Sequence, residues 1–365
     1  MSEWQTFCLK DLGKIVGGAT PPTNNPKNYG NKIAWITPKD LSTLQGRYIK
    51  KGSRSISRLG FKSCSCVLLP KHAILFSSRA PIGYVAIAEK RLCTNQGFKS
   101  IIPNKKIYFE FLYYLLKYHK DNISNIGGGT TFKEVSGATL GLFQVKIPPT
   151  YYEQQKIART LSVLDQKIEN NHKINELLHN LAHKVYEYYF KYKPKNAKLE
   201  QIIIENPKSN IMVKNAQKTQ DKYPFFTSGD NILSYPKAII DGRNCFLNTG
   251  GNAGIKFYVG KASYSTDTWC ICANEFSDYL YLLLSSIKNH INQSFFQGTS
   301  LKHLQKNLLK KYPIYMPSVH EIKKFNQIMM PLLTLISINT RTSKKLEQIR
   351  DFLLPLLLTQ QVKPE

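Results

Sequence analysis

Acidic residues are scarce in this chain. Its 365 residues hold 24 Asp and Glu against 51 Lys and Arg, a formal charge of +27. That balance points to a polyanion, most often nucleic acid. The shortage is greatest in residues 1–150, with 22 basic and 7 acidic side chains. Long apolar runs are missing too. The longest, Ile328 to Ile338 and Phe352 to Leu358, each hold a proline and are too short to span a bilayer. Met1 to Phe7 contain no apolar run of the secretory kind, so a soluble, cytoplasmic protein is expected. Cysteine is limited to seven, an odd number, which without an export signal argues for reduced thiols rather than a disulfide framework. Cys64 and Cys66, like Cys270 and Cys272, alternate as in strands. Two-residue spacing is tighter than in zinc knuckles and no histidine flanks either pair, so buried strand thiols are expected and no metal.

Catalytic signatures are equally thin. Gly254 to Lys261 (GIKFYVGK) approaches a phosphate loop, but has five intervening residues where four are needed, and Ala262 follows the lysine. Asn206, Pro207, Lys208 and Ser209 approach an amino-methyltransferase motif without its second proline and aromatic. No glycine-rich cofactor loop follows a convincing strand. No paired-carboxylate-plus-lysine nuclease pattern stands out. His72, His119 and His303 lack metal spacing and read as surface or capping residues. Chemistry is therefore assigned to partners, with no catalytic residue and no cofactor in this chain.

What the chain does have is a pattern written twice. Ile157, Leu164, Asn171, Leu178 and Val185, with Leu161, Ile168, Asn175, Ala182 and Tyr189, form a helical seam of alternating steps of four and three. At a constant offset of 168 residues come Phe325, Leu332, Asn339, Leu346 and Leu353, flanked by Met329, Ile336, Ser343, Arg350 and Leu357. The starts match as well. Thr150 precedes Glu153 by three and Ser318 precedes Glu321 by three, the spacing of a capping box. Two such copies indicate a duplicated unit. Pro194 should end the first helix, and Pro331, inside the second seam, should delay or kink that helix.

Between the seams lie mixed strands and turns. Strand composition marks Ile33–Thr37, Val67–Leu69, Ala73–Phe76 and Tyr84–Ala88, then a short helix at Phe109–Tyr118. The second half repeats the order, with strands at Ala238–Ile240, Cys245–Leu247, Ile255–Val259 and Trp269–Ile271 and a helix at Tyr279–Ile287. A glycine-to-hydroxyl turn, Gly129, Thr130, Thr131, Phe132, Lys133, returns as Gly298, Thr299, Ser300, Leu301, Lys302. Such turns can offer amides and hydroxyls to phosphate or base edges, so Thr130, Thr131, Lys133, Thr299, Ser300 and Lys302 are candidate DNA contacts. Arg47, Lys50, Lys51, Arg54, Arg58 and Lys62 form a basic stretch without an acid, suited to following phosphates. For base edges, which need bidentate groups, the candidates are Arg79, Asn95 and Gln96 in the first half and Asn248 and Asn252 in the second.

Several phrases are familiar in combination: Ala34 to Leu41 (AWITPKDL), Phe76 to Ala88 (FSSRAPIGYVAIA), Thr94 to Ile102 (TNQGFKSII), Gly128 to Ser136 (GGTTFKEVS) and Ile147 to Leu164 (IPPTYYEQQKIARTLSVL). Together they resemble the specificity subunit of bacterial type I restriction-modification enzymes. The likeness is dense in the first half and looser in the second. It implies an α/β (α+β) fold: two target-recognition domains of mixed strands and short helices, joined and separated by two long antiparallel coiled-coil helices as a pseudo-twofold internal duplication. On that reading residues 1–149 and 199–317 are the target-recognition domains, while 150–198 (helix plus linker) and 318–365 are spacer helices. It further implies double-stranded DNA and two methyltransferase subunits as partners, restriction subunits reached through them, and S-adenosylmethionine, ATP and magnesium bound on those partners. Ser265, Thr266, Asp267 and Thr268 stand roughly where the first half has Thr94, Asn95, Gln96 and Gly97, so the two half-site preferences should differ.

A helix of about 40 residues is roughly 60 Å long, enough to hold two readers one to two DNA turns apart, at roughly 34 Å per turn. Asn171 and Asn339 at seam positions would cost stability and fix register. A rival reading is a stand-alone DNA-binding repressor or architectural protein, against which the helix aromatics Tyr186, Tyr188 and Phe190 suggest a further packing partner. A self-contained restriction enzyme is disfavoured by the missing motifs.

Overall fold

A computed structural model of the chain describes residues 3–79, 81–129, 133–216 and 222–364. The chain forms two compact units, Met1–Asn170 with Lys344–Glu365, and Asn171–Ser343.

In the first unit the strands of the two larger sheets are β1 (Gly13–Gly17), β2 (Tyr29–Ile36), β3 (Tyr48–Ile49), β4 (Arg54–Ile56), β5 (Ile74–Ser78), β6 (Ile82–Ala88), β7 (Cys93–Thr94) and β8 (Lys99–Pro103). They make a five-stranded sheet, β1-β8-β5-β6-β3, and a three-stranded one, β4-β2-β7. A separate two-stranded ribbon pairs Gln5–Cys8 with Gln144–Ile147. Helix α1 (Phe109–Asn125) is longer than its apolar residues suggested, continuing through polar residues to Ile123, which is buried. β5 is buried along its length. Because side chains alternate across a strand, Ile74 and Phe76 pack with Phe111, Leu112 and Leu115, whereas Leu75 joins Ile36, Ala86 and Phe98 on the other face. Each fully buried Phe or Leu contributes roughly 1.5–3 kcal/mol.

The second unit follows the same plan. The strands of its two larger sheets are β9 (Ile204–Glu205), β10 (Tyr223–Phe226), β11 (Leu233–Tyr235), β12 (Arg243–Asn248), β13 (Ile255–Val259), β14 (Ser263–Tyr264) and β15 (Thr268–Cys272). They form sheets β9-β15-β12-β13 and β11-β10-β14. Cys245 and Leu247 of the central strand face Tyr279, Leu280 and Leu284, while Phe246 lies with Phe226, Tyr258 and Tyr264. The stacked pair Phe226–Phe246 has ring centroids 3.9 Å apart.

Two expected strands do not form. Leu69 makes only an isolated bridge to Leu92, and Ile240 only one to Ala262, so neither segment extends into a ladder. Cys64 and Cys66 consequently lie outside any strand, their sulfurs 3.2 Å apart. His72 and His119 are half-buried packing residues: His72 stacks on Phe109 at 3.9 Å and His119 abuts Tyr118 and Phe143. Burial lowers the pKa of both.

The two long helices are α2 (Tyr151–Tyr186), prolonged by a wider turn over Glu187–Lys191, and α4 (Val319–Leu358); a shorter helix, α3 (Ser277–Ser286), precedes α4. Both hydroxyls cap their helices, and Ser318 N completes the box at the second by donating to Glu321 Oε2 at 2.9 Å. Glu153 N donates to Thr150 Oγ1 at 3.2 Å, and Glu321 N to Ser318 Oγ at 3.3 Å. Pro331 does not delay α4, which begins twelve residues before it, at Val319; the ring lies on an exposed face where its missing N–H leaves little to compensate. In the first unit Ile157, Leu161 and Ala158 of α2 pack in one core with Leu354, Leu357 and Leu358 of α4. In the second, Leu178, Ala182, Val185 and Tyr186 pack with Phe325, Met329, Leu332 and Ile336. Ile168 is buried, and Leu164, Leu346 and Leu353 are half-buried. Asn171 Nδ2 donates to Ser343 Oγ at 3.1 Å, and Asn339 Nδ2 to Asn175 Oδ1 at 2.9 Å. Position numbers rise on α2 as they fall on α4, so the pair is antiparallel. Each seam asparagine bonds the residue four places on in the other copy's numbering, which is how these polar groups fix register.

Candidate nucleic-acid interface

In the first unit three pieces of chain meet at the end of β5. Ser78 N donates to Gly97 O at 2.8 Å, and Val135 N to Ser78 O at 3.0 Å. The loop after α1 closes on itself where Glu134 N donates to Gly128 O at 2.8 Å, and Glu134 also bridges to Arg79. Gly129, at φ +122°, makes a bend that a side chain would strain. Lys133 is exposed on this loop, whereas Thr130 and Thr131 lie outside the described residues. The carboxylate of Glu134 is shared by Arg79, at 3.6 Å, and Lys99, at 3.2 Å. Two cations on one carboxylate leave net positive charge at this edge. Asn95 is committed to the fold, its Oδ1 accepting from Gly97 N at 3.0 Å; Gln96 is exposed and accepts from Thr20 Oγ1.

The second unit brings the corresponding pieces together at the end of β12. Thr249 N donates to Asp267 O at 3.2 Å, Leu304 N to Thr249 O at 3.0 Å and Gly251 N to Lys302 O at 2.9 Å. Ser265 N donates to Phe226 O at 2.9 Å just as Asn95 N donates to Ile36 O at 2.9 Å, so the two turns share a backbone frame. Their side chains differ, for Ser265 bonds the Asp267 carboxylate where Asn95 caps its own turn. Thr299, Ser300 and Lys302 are exposed beside exposed Asn252. Gly298 is required here: at φ +142° a Cβ would fall 2.4 Å from Leu301 O. Asn248, by contrast, is 7% exposed and spent internally. Its Nδ2 donates to Asn252 O at 3.1 Å and its Oδ1 accepts from Lys256 Nζ at 3.2 Å.

The basic stretch divides. Lys50, Lys51, Arg54, Arg58 and Lys62 are exposed, Lys50 standing 4.0 Å from Glu89. Arg47 is not among them in fact: it is 2% exposed, with its guanidinium on Glu110 at 3.2 Å and Glu169 at 3.0 Å. A charge so buried survives only because those carboxylates are there.

A feature of the helices went unread in the sequence. In the second unit α2 exposes Ile174, Leu177 and Leu181, and α4 exposes Ile328, Leu335 and Ile338; Leu177 is 67% exposed. Steps of three, four and seven make each row a second apolar seam, at right spacing for another helix. That spacing is visible in the sequence once the first seam is set aside. Of the three helix aromatics, Tyr186 and Phe190 belong to the unit's own core, and only Tyr188, 85% exposed, is without cover. Among the described residues no group of three or more His, Cys, Asp or Glu side chains is placed to hold a metal ion, and no helix is long and apolar enough to cross a membrane.

Two mixed units, each with a loop-built polar edge, and two long helices that contribute to the cores of both define a two-unit α/β protein built on paired helices. The family described as "Type I restriction modification DNA specificity domain" matches residues 1–180 and 195–348, and the chain belongs to it. The chain is 32% identical to the type I restriction enzyme MjaIX specificity subunit of Methanocaldococcus jannaschii, over 100% of this chain and 94% of that one. It is 30% identical, over 47% of its length and 38% of the relative's, to the putative MjaX specificity subunit of the same organism. The crystal structure of a type I restriction-modification S subunit from M. genitalium shares the fold, with a TM-score of 0.66 at 18% identity over 97% of this chain and 96% of that one. Its role is thus that of a type I specificity subunit, a non-catalytic component of its system. The stand-alone repressor is not favoured.

Proposed function

We propose that the chain binds a DNA target in two separated parts, one read by each unit, and carries methyltransferase subunits to it. Residues 1–149 and 199–317 are the readers; 150–198 and 318–365 set the gap between the two sequences read. Contacts to bases and phosphates come from Arg79, Gln96 and Lys133 in the first reader and from Asn252, Thr299, Ser300 and Lys302 in the second, with Lys50, Lys51, Arg54, Arg58 and Lys62 following the phosphates. Asn95 and Asn248 shape these loops from within. The observation that carries this reading is the recurrence, in each unit, of the same backbone junction at the end of a central strand, surfaced with different side chains. Similar frames with dissimilar surfaces suit two different half-sites.

The second apolar seams on α2 and α4 are the docking face for helices of the methyltransferase partner, through which restriction subunits join. S-adenosylmethionine, ATP and magnesium belong to those partners, and the assembly works in the cytoplasm. Coexpression with the methyltransferase and mapping of methylated adenines tests the reading. A split motif that disappears when this chain is omitted is expected. Methylation without a split motif, or unchanged without this chain, would overturn it.

A further inference from the structure

Arg47 sits on a loop of the first reader, and the groups that hold it come from elsewhere in the same unit. Its backbone N–H and Nε both donate to Glu169 Oε1, at 2.9 and 3.0 Å, and its Nη1 donates to Glu110 Oε1 at 3.2 Å. One helical turn before Glu169 on α2, Asp165 accepts from Tyr114 Oη at 2.6 Å and from Arg350 Nη1, on α4, at 2.7 Å. Glu110 is held in turn by Tyr48 Oη at 2.6 Å and Tyr108 Oη at 2.9 Å. Gly46, at φ +121°, lets the loop come this close, since a Cβ there would lie 3.0 Å from Glu169 Cγ. Arg47 Nε also stands 4.0 Å from Asp165 Oδ2, which makes one buried network of the reader, the first half of α2 and the last turns of α4.

Apolar packing alone permits small rotations of one element on another, because it has no direction. A planar guanidinium gripped by two carboxylates has a fixed orientation. The second unit is seated differently. Arg243 is bidentate to Asp278 of its own reader, at 2.6 and 2.7 Å, and reaches α4 only through the neutral Thr334 Oγ1, at 3.0 Å, and Met330 O, at 3.4 Å. Among the described residues, the ion pairs between a reader and a long helix lie in the first unit.

We infer that Arg47, held by Glu169 and Glu110, is a positioning residue that fixes the angle at which the first reader is seated on α2, and thereby the number of base pairs allowed between the two half-sites. The inference rests on the two-part reading of DNA proposed above. It adds that gap selectivity depends on this network as well as on helix length.

The test uses the complex with the methyltransferase and reads the gap lengths of methylated sites across a genome. Exchanging a buried ion pair for apolar residues of similar size is often neutral for stability; Arg47→Met with Glu169→Leu makes that exchange while Glu110 keeps the hydroxyls of Tyr48 and Tyr108. Glu169→Gln, nearly isosteric, is the second variant. Both are expected to keep the bases of each half-site while discrimination against gaps one base pair longer or shorter falls roughly tenfold. An unchanged gap distribution in a folded variant overturns the inference, as does loss of all methylation from a complex that still assembles. If the double variant does not fold, Glu169→Gln decides alone. A parent protein with no split motif would instead sink the two-part reading itself.

Discussion

Arg47 and Asn248 show what a linear sequence conceals about a single residue. Both have the chemistry of a DNA contact, and both are spent inside the fold. The carboxylates that claim Arg47 are 63 and 122 residues away, so nothing beside it announces burial. Asn248 and Lys302 therefore make a discriminating pair. Removing the Asn248 amide leaves Lys256 Nζ short of an acceptor in a half-buried place. Asn248→Ala should cost about 1–3 kcal/mol in denaturant unfolding. Lys302→Ala, on an exposed loop, should leave stability within about 0.5 kcal/mol while reducing the salt dependence of DNA binding by roughly one phosphate's worth. The reverse outcome, a stable Asn248→Ala with weakened DNA binding, would move Asn248 back to the interface.

At the scale of elements, the long helices were the most legible part, because caps and periodicity are local. Thr150 with Glu153 and Ser318 with Glu321 stand three apart and bond as that spacing requires. Glu321 accepts from the Ser318 backbone N–H at 2.9 Å, then from Tyr315 Oη at 2.8 Å, with Lys193 at 3.4 Å, and these hold its carboxyl down at about 2. A carboxylate whose pKa is depressed on folding contributes stability that is fully present above its unfolded value, about 4.3, and is lost as the pH falls through the folded value. Melting temperature should therefore drop between about pH 4.5 and 2, and Glu321→Gln should flatten that part of the profile while lowering stability at neutral pH. A variant whose acid limb matches the parent's would show that the cap is not coupled to folding. Less legible were the short strands. Val67–Leu69 and Ala238–Ile240 have strand composition, yet whether a segment pairs is settled by distant neighbours, and each obtained only one bridge. That Pro331 does not delay α4 has a local reason. An exposed helical face tolerates a missing N–H that a buried one would not.

For the molecule as a whole, the duplication in the sequence reappears in the same junction in both units and in bonds that cross between Asn171 and Ser343 and between Asn339 and Asn175. What the sequence alone left unread was the outer side of the helices, since the stronger inner seam masks a second set of apolar residues in the same pattern. Those residues are free to be changed without touching the core. Leu177, 67% exposed, and Ile338, 41% exposed, stand on α2 and α4 of the second unit. A lysine at each position places charge where an apolar partner helix would pack, and burying an unpaired ammonium is expensive. Leu177→Lys with Ile338→Lys should melt within a few degrees of the parent, bind DNA no less tightly for the added positive charge, and fail to retain the methyltransferase on co-purification. Retention at the parental level would show that the partner docks elsewhere, and a large loss of melting temperature in the isolated chain would show that these rows already have cover within it.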